Sequence, residues 1–329
     1  MRIFFFVRSL RQEGSGSHQN ALSYIRYLKE QGHTVIVHAF TSFNNPPADI
    51  SLTAHNQEAL GLRAANKFLT ELLLTHEKET DIFFLYGVDS IWGGGAYRKQ
   101  GGTTPVVGYL DALLASMDAK RTHGMLYYLK RLLWDRVFGM RLAPWVDAYS
   151  AVSPFIKDAF VKSGFPEKKF SIVPNFFTIT PTSTRHDTGG VIQLLYAGRL
   201  TYDKGIDLLI EAVTDMPKDV VWHLRIVGAG PLHAECERRI QAENLQERIE
   251  LIPWVGPDEL QELYATADIF VHPSRAPESF GRTFVEAMSH GIPVVASRIG
   301  SAPWTIGEAG LFFPAGDAQA LRAVLLSLM

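Results

Sequence analysis

The chain has 329 residues, enough for two domains with separate cores, and its balance of 47% hydrophobic to 20% charged residues excludes a disordered chain. A formal net charge of −2 removes the overall electrostatic case for a nucleic-acid partner. Cys236 is the single cysteine, which excludes an internal disulfide and a cysteine-built zinc site.

The apolar run at 3–7 predicts a first strand, buried on both faces as central parallel strands are. Gly14-Ser-Gly16-Ser17 follows and opens an amphipathic helix predicted over 18–31, with Ala21, Leu22, Ile25 and Leu28 on one side. Gly32 ends it, and 34–40 is the second strand. This is a βαβ unit with a glycine loop at its helix, although the loop is not G-x-G-x-x-G and a tight turn explains it equally well. A polar loop spans 44–50, a helix is expected over 55–76, and a third strand over 81–86. Gly93-Gly94-Gly95 reads as a flexible connector. A fourth strand over 105–109 runs into Leu110-Asp111. The stretch 125–146 mixes aromatics and leucines with Lys130, Arg131, Arg136 and Arg141. Strands at 147–152 and 170–174 complete a doubly wound α/β domain over residues 1–176.

Residues 177–190 have linker composition, without apolar periodicity. A second α/β run fills 191–329, with strands predicted at 192–197, 221–227, 249–252, 269–271, 292–296 and 311–313. Two Rossmann-like halves place ligands at the carboxyl ends of their strands. The apolar run at the N-terminus is too short for a signal peptide, and nothing approaches the roughly eighteen apolar residues of a membrane span. A cytoplasmic protein is expected.

The stretch 272–297, HPSRAPESFGRTFVEAMSHGIPVVAS, carries the chemistry. Glu278 falls in a strand-to-helix loop, and Glu286 falls inside a helix predicted over 283–290. The amide N–H groups at 280–284 lack helical partners and the helix dipole adds positive potential there, so a phosphate fits between two carboxylates. Upstream, Tyr196-Ala-Gly-Arg199-Leu-Thr-Tyr-Asp-Lys204-Gly205 sets two cations on another strand-to-helix loop. Together with Val227-Gly228-Ala-Gly230-Pro231 between them, these segments resemble the family-4 retaining glycosyltransferases of the GT-B fold, with the E-x7-E spacing of Glu278 and Glu286. The likeness covers the second half closely and the first half loosely.

The resemblance implies an α/β GT-B protein, two Rossmann-like domains facing each other across a cleft, with acceptor binding in the first and a nucleotide sugar in the second. It implies transfer of a sugar from a donor such as a UDP- or GDP-sugar to a hydroxyl, with retention, without a metal and without a further cofactor. Arg199 and Lys204 would stabilise the leaving diphosphate. Glu286 would accept hydrogen bonds from the ribose, while Glu278 would face the sugar and stabilise its oxocarbenium-like charge. The amides of Phe280 and Gly281 would meet sugar hydroxyls, and those of Arg282 and Thr283 the distal phosphate. Gly228 and Gly230 would border the base, and the Gly14–Gly16 loop the donor phosphates.

The first half departs from the family at one point. Many members carry a histidine in a context like V-V-x-x-L-H, whereas this chain reads Val106-Val-Gly-Tyr-Leu110-Asp111. Asp111, or Leu110 under a shift of one residue, takes that position, and His123 is an alternative. A catalytically impaired nucleotide-sugar-binding protein is therefore the second reading. The predicted last helix, about 317–329, ends on apolar residues, where GT-B enzymes usually continue with a helix that crosses back; a shortened C-terminus is the expectation. The basic, aromatic stretch 125–146 suggests peripheral contact with an inner membrane face and a lipid-linked sugar or glycolipid acceptor. A core-packing helix with solvated charges is its other reading.

Overall fold

A computed structural model of the protein describes residues 1–10, 16–41, 49–55, 57, 61–114, 125–126, 129–176 and 190–329. The chain divides into two compact units, Met1–Phe177 and Thr178–Met329. Each is built on an all-parallel sheet.

The first unit carries β1 (Arg2–Val7), β2 (Thr34–Ala39), β3 (Leu52–Ala54), β4 (Ile82–Tyr86), β5 (Val106–Leu110), β6 (Ala148–Ala151) and β7 (Phe170–Ile172) in the order β3-β2-β1-β4-β5-β6-β7. After its first residue β1 is buried throughout, as its unbroken apolar sequence requires. The aromatic side chains of β1, β4 and β5 stack across the sheet: Phe5 lies on Phe84 at 5.1 Å and Tyr86 on Tyr109 at 4.9 Å between ring centroids. The helix Gly16–Glu30 follows β1, and its Tyr24 packs against Tyr109.

Three expectations for this unit change. The helix expected over 55–76 spans Leu62–His76, and β3 pairs with β2 just before it. The glycine connector at 93–95 is the interior of a buried helix, Ile91–Lys99. A Cβ on Gly93 would lie 2.7 Å from the Leu69 side chain, on Gly94 2.5 Å from Leu85, and on Gly95 2.5 Å from the Leu142 carbonyl. Each glycine costs about 1 kcal/mol of helix propensity, and close approach on three sides offsets it. The stretch 125–146 is not one helix either. Helical residues at 129–133 pass into a π-helical turn, Trp134–Phe138, then 3₁₀ turns at Gly139–Arg141 and Ala143–Trp145. Gly139 sits where a Cβ would be 2.7 Å from the Trp92 ring, and Pro144 prevents a continuous helix.

The second unit carries β8 (Ile192–Ala197), β9 (Trp222–Val227), β10 (Ile249–Ile252), β11 (Ile269–His272), β12 (Val294–Ser297) and β13 (Gly310–Phe313) in the order β10-β9-β8-β11-β12-β13. Alternate strand residues feed two cores. Leu194, Tyr196, Leu224, Ile226 and Val271 face one, and Leu195, Ala197, Val227, Phe270 and Val294 face the other. In both sheets the chain reverses direction of growth beside the first strand, between β1 and β4 and between β8 and β11. Ligands of doubly wound sheets bind outside the carboxyl ends of the strands at such a switch. No helix among the described residues is long and apolar enough to cross a membrane.

Candidate active site

Three loops leave the carboxyl ends of β8, β9 and β11 and are sewn together by backbone contacts. The Asp203 carbonyl accepts from the amides of Arg275 at 2.8 Å and Ala276 at 3.1 Å and from Ser274 Oγ at 3.0 Å. Gly205 has φ +70°, and a Cβ there would lie 1.9 Å from the Pro273 carbonyl. Only glycine allows that approach. Gly228 presses on the Gly198 carbonyl and Gly230 on that of Leu200, so both expected base-side glycines brace the Arg199 loop. Arg275 adds a clamp from Nη1 to Asp207 Oδ1 at 2.6 Å and stacks 4.2 Å over Tyr202.

On this floor Lys204 and Glu278, 74 residues apart in sequence, meet as an ion pair between Nζ and Oε1. The Glu278 backbone is fixed by a bridge to Gly300, with the Ser301 amide donating to its carbonyl at 2.9 Å. Burial pushes the Glu278 carboxyl up, but the Lys204 ammonium and a hydrogen bond from His272 outweigh it and hold the group well below the ordinary carboxylate range. His272 Nε2 lies 2.9 Å from the same Oε1. Arg199 keeps 59% of its side chain in solvent and makes a long contact of 3.3 Å to Asp203 Oδ2, while its carbonyl accepts from the buried Tyr196 hydroxyl at 2.8 Å.

Past Glu278 the chain turns at Gly281, φ +83°, into the helix Arg282–Ser289. Phe280, Gly281, Arg282 and Thr283 form its entry, and Thr305 Oγ1 donates to the Phe280 carbonyl at 2.7 Å. Glu286 projects from the second turn. Arg282 Nε donates to its Oε1 at 2.6 Å and the buried Tyr264 hydroxyl to its Oε2 at 3.2 Å. Among the described side chains, then, Glu278 shares its carboxylate with Lys204 and His272, and Glu286 shares its own with Arg282 and Tyr264. His272 and Tyr264 are additions to the residues read from the sequence. His272 ends an apolar strand immediately before Pro273, a polar residue at a core position, which is the signal that could have marked it.

In the first unit Gly14 and His123 lie outside the described residues, as do 177–189 of the expected linker. Gly16 begins the helix after β1. The next residue, Ser17, donates from Oγ to Asp111 Oδ2 at 2.5 Å, and Tyr86 OH donates to the Ser17 carbonyl at 3.2 Å. Burial raises the Asp111 carboxyl, with the Ser17 hydrogen bond acting the other way. Asp111 therefore stands at the end of β5, tied to the helix start. Ser9, just after β1, and His18, in the first turn of the helix, pair from Oγ to Nε2 at 2.9 Å. Arg131 is not on a solvated face: it is buried, bonded through Nη2 to Asp89 and through Nε to Asp135 Oδ2 at 2.9 Å.

A family model described as Glycosyltransferase Family 4 matches residues 14–180, and one described as Glycosyl transferases group 1 matches residues 185–329. The chain belongs to glycosyltransferase family 4. Relatives of this family-4 chain include the amylovoran biosynthesis glycosyltransferase AmsK of Erwinia amylovora, 28% identical over 190 residues that cover 54% of this chain and 46% of the relative. Another is the phosphatidylinositol N-acetylglucosaminyltransferase gpi3 subunit of Schizosaccharomyces pombe, 31% identical over 145 residues, 41% of this chain and 30% of the relative. The match thus spans less than half the length of either relative. The crystal structure of Anabaena Alr3699/HepE in complex with UDP superposes with a TM-score of 0.78 at 22% identity, covering 99% of this chain and 89% of that one. The fold is GT-B, with two Rossmann-like α/β units.

Proposed function

We propose that this chain moves a sugar from a nucleoside diphosphate sugar, UDP- or GDP-linked, to a hydroxyl acceptor, with retention of anomeric configuration and without a metal ion. The observation that carries the reading is the meeting of Lys204 and Glu278 at the switch between β8 and β11. An ammonium has three donors, so Lys204 can keep Glu278 and still bind a diphosphate oxygen. The exposed fork of Arg199 suits a second, bidentate phosphate contact. As the glycosidic bond breaks, charge builds on the departing diphosphate, and both cations are already in place to stabilise it. Ionised Glu278 stabilises the positive charge at the anomeric carbon. The entry amides at 280–283 bind sugar hydroxyls and the distal phosphate, Glu286 takes the ribose, and Gly228 and Gly230 admit the base. The transfer proposed needs no cofactor beyond the donor.

On the acceptor side Asp111 is assigned to a sugar or acceptor hydroxyl. The names of the relatives, one in amylovoran biosynthesis and one acting on a phosphatidylinositol, support a glycan precursor or lipid-linked acceptor. Met125, Leu126, Leu129 and Leu133 are 50–68% exposed at helical spacing, with Lys130, Arg136 and Arg141 exposed nearby, which supports peripheral binding of the unit at a cytoplasmic membrane face.

The test is thermal stability with a panel of UDP- and GDP-sugars, followed by release of nucleoside diphosphate with and without EDTA. A ligand at one hundred times its Kd adds about 2.7 kcal/mol. One donor should raise the transition, and turnover should survive chelation. No shift with any donor removes the reading; activity lost to EDTA and restored by magnesium or manganese removes its metal-free part.

A further inference from the structure

We infer that His272 is a positioning residue for sugar transfer: it holds Glu278 ionised and turned, so that one carboxylate oxygen serves the protein and the other serves the donor sugar. The inference rests on the proposed function and goes further into the same site. Among the described residues both side-chain contacts to the Glu278 carboxylate, Lys204 Nζ and His272 Nε2, fall on Oε1. Oε2 is thereby oriented without being shared. The two holders differ in kind. Lys204 sits on a long, flexible side chain and has a diphosphate to serve. Once it does, its charge is divided and Glu278, a carboxylate only 17% exposed, loses part of what keeps it ionised.

His272 has no such second task. Its side chain is 7% exposed, its ring stands edge-on to Phe284 at 4.8 Å and 90°, and it leaves the end of a central strand paired on both sides. With Glu278 ionised, Nε2 must be the donor. Nδ1 is buried without a hydrogen-bond partner. An unpaired lone pair there is cheaper than an unpaired buried N–H, so the surroundings accommodate a hydrogen on Nε2 better than one on Nδ1. The histidine thus donates to Glu278 through Nε2, whatever Lys204 does.

Three variants test this: His272→Phe, which keeps the ring and removes the donor; His272→Asn, which is too short to reach; and His272→Gln, whose amide can restore an N–H near Nε2. The probes are UDP and UDP-glucose, with GDP and GDP-mannose as the second pair, and the readouts are calorimetric affinity and the pH profile of kcat/KM. The Phe and Asn variants should bind the free nucleoside diphosphate as wild type does and lose about tenfold or more in kcat/KM, the size of one charge-assisted hydrogen bond. The acid limb of the profile should move to higher pH, and Gln should restore most of both. Unchanged kcat/KM and acid limb in either disrupting variant overturn the inference. So does a parallel loss of nucleoside diphosphate affinity that Gln does not rescue, which would mark a merely structural histidine. A wild-type protein that binds neither pair overturns the proposed function itself, a distinct failure.

Discussion

Arg131 in the first unit and Lys204 in the second are both paired with carboxylates distant in sequence, but to different ends. Arg131 is 9% exposed in its side chain and lies between Asp89 and Asp135, with Arg8 closing the far side of Asp89. Burial pushes the Asp89 carboxyl up, and Arg131 and Arg8 overcome it and hold the group low. Arg131 and Asp135, 9% and 1% exposed, form its buried part, and Arg8, 62% exposed, caps Asp89 from the solvent side. Lys204 and Glu278 are 19% and 17% exposed and stand beside Arg199, which remains mostly in water. An ion pair as buried as Arg131 and Asp135 serves folding, whereas a pair at the mouth of a parallel sheet, where doubly wound folds bind their ligands, is ready to exchange partners. The comparison predicts that mutations in the first cluster act on stability and mutations in the second on ligand affinity.

The largest effect should come from Arg131→Met. Removing one partner from a buried ion pair costs about 3–5 kcal/mol, since Asp135, 1% exposed, loses its partner and Asp89 keeps only Arg8. Urea denaturation should show the loss, with nucleotide affinity per folded molecule unchanged. A stable variant with impaired donor binding would reverse the contrast.

Acid should separate the units next. His38, 4% exposed, bonds His55 at 2.8 Å and packs edge-on to His76 at 4.9 Å, with Phe4 stacked on its ring at 4.4 Å. Desolvation, and then the neighbouring His76 and His55, lower its pKa from 6.5 to about 4. A depressed histidine contributes stability above its unfolded pKa and loses it as pH falls from about 6.5 toward 4, at most about 3 kcal/mol. Glu278 is depressed from 4.5, so its contribution is complete above that value and lost only below it. In the second unit burial also lowers His290, whose ring is only partly buried, so calorimetry between pH 6.5 and 5 should show the first unit's transition falling further than the second's, and His38→Phe should flatten the first. Two transitions that fall together in wild type would reject the assignment.

Lys204 and Glu286 come third. Lys204→Ala and Glu286→Ala should each weaken nucleotide-sugar binding by about 1.5–3 kcal/mol, the worth of a hydrogen bond to a charged group. Titration calorimetry reads it directly. Unchanged affinity in both variants would leave the second cluster as structural as the first.

The same contrast governs what could be read from sequence. The strands predicted at 192–197 and 249–252 are Ile192–Ala197 and Ile249–Ile252, and the helix predicted over 283–290 is Arg282–Ser289. There the signals are local: an apolar run, a glycine stop, a motif confined to one loop. Lys204, Glu278 and Glu286 stood out for the same reason. The misreadings depend on tertiary neighbours. Nothing near Gly93 announces that Leu69 will press on it, and nothing near Arg131 names Asp89. β3 has only three residues, too few to show a period. His272 was legible as a polar residue ending an apolar strand, but its role needed Glu278 to be brought within 2.9 Å.

The smallest expected effect tests whether the exposed side of 125–141 belongs to the structural or the binding kind of surface. Burial of Arg131 removes it from any membrane argument and leaves Lys130, Arg136 and Arg141, all exposed, beside Met125, Leu126, Leu129 and Leu133. Apolar side chains at that exposure gain by entering the acyl boundary, and each nearby cation adds about 1 kcal/mol on an anionic surface. Reversing Lys130, Arg136 and Arg141 to Glu should therefore abolish flotation with phosphatidylserine-containing liposomes and scarcely alter the thermal transition, because none of the three enters the Asp89 cluster. Wild type should float with anionic vesicles, less so with neutral ones, and less again at high salt, where screening shortens the reach of the cations. Leu129→Ser with Leu133→Ser should weaken flotation at all salt concentrations, separating the apolar contribution from the ionic one. If wild type and the charge-reversed protein both remain in the soluble fraction with anionic vesicles, this side of the first unit is a solvated face and the acceptor reaches the site from solution.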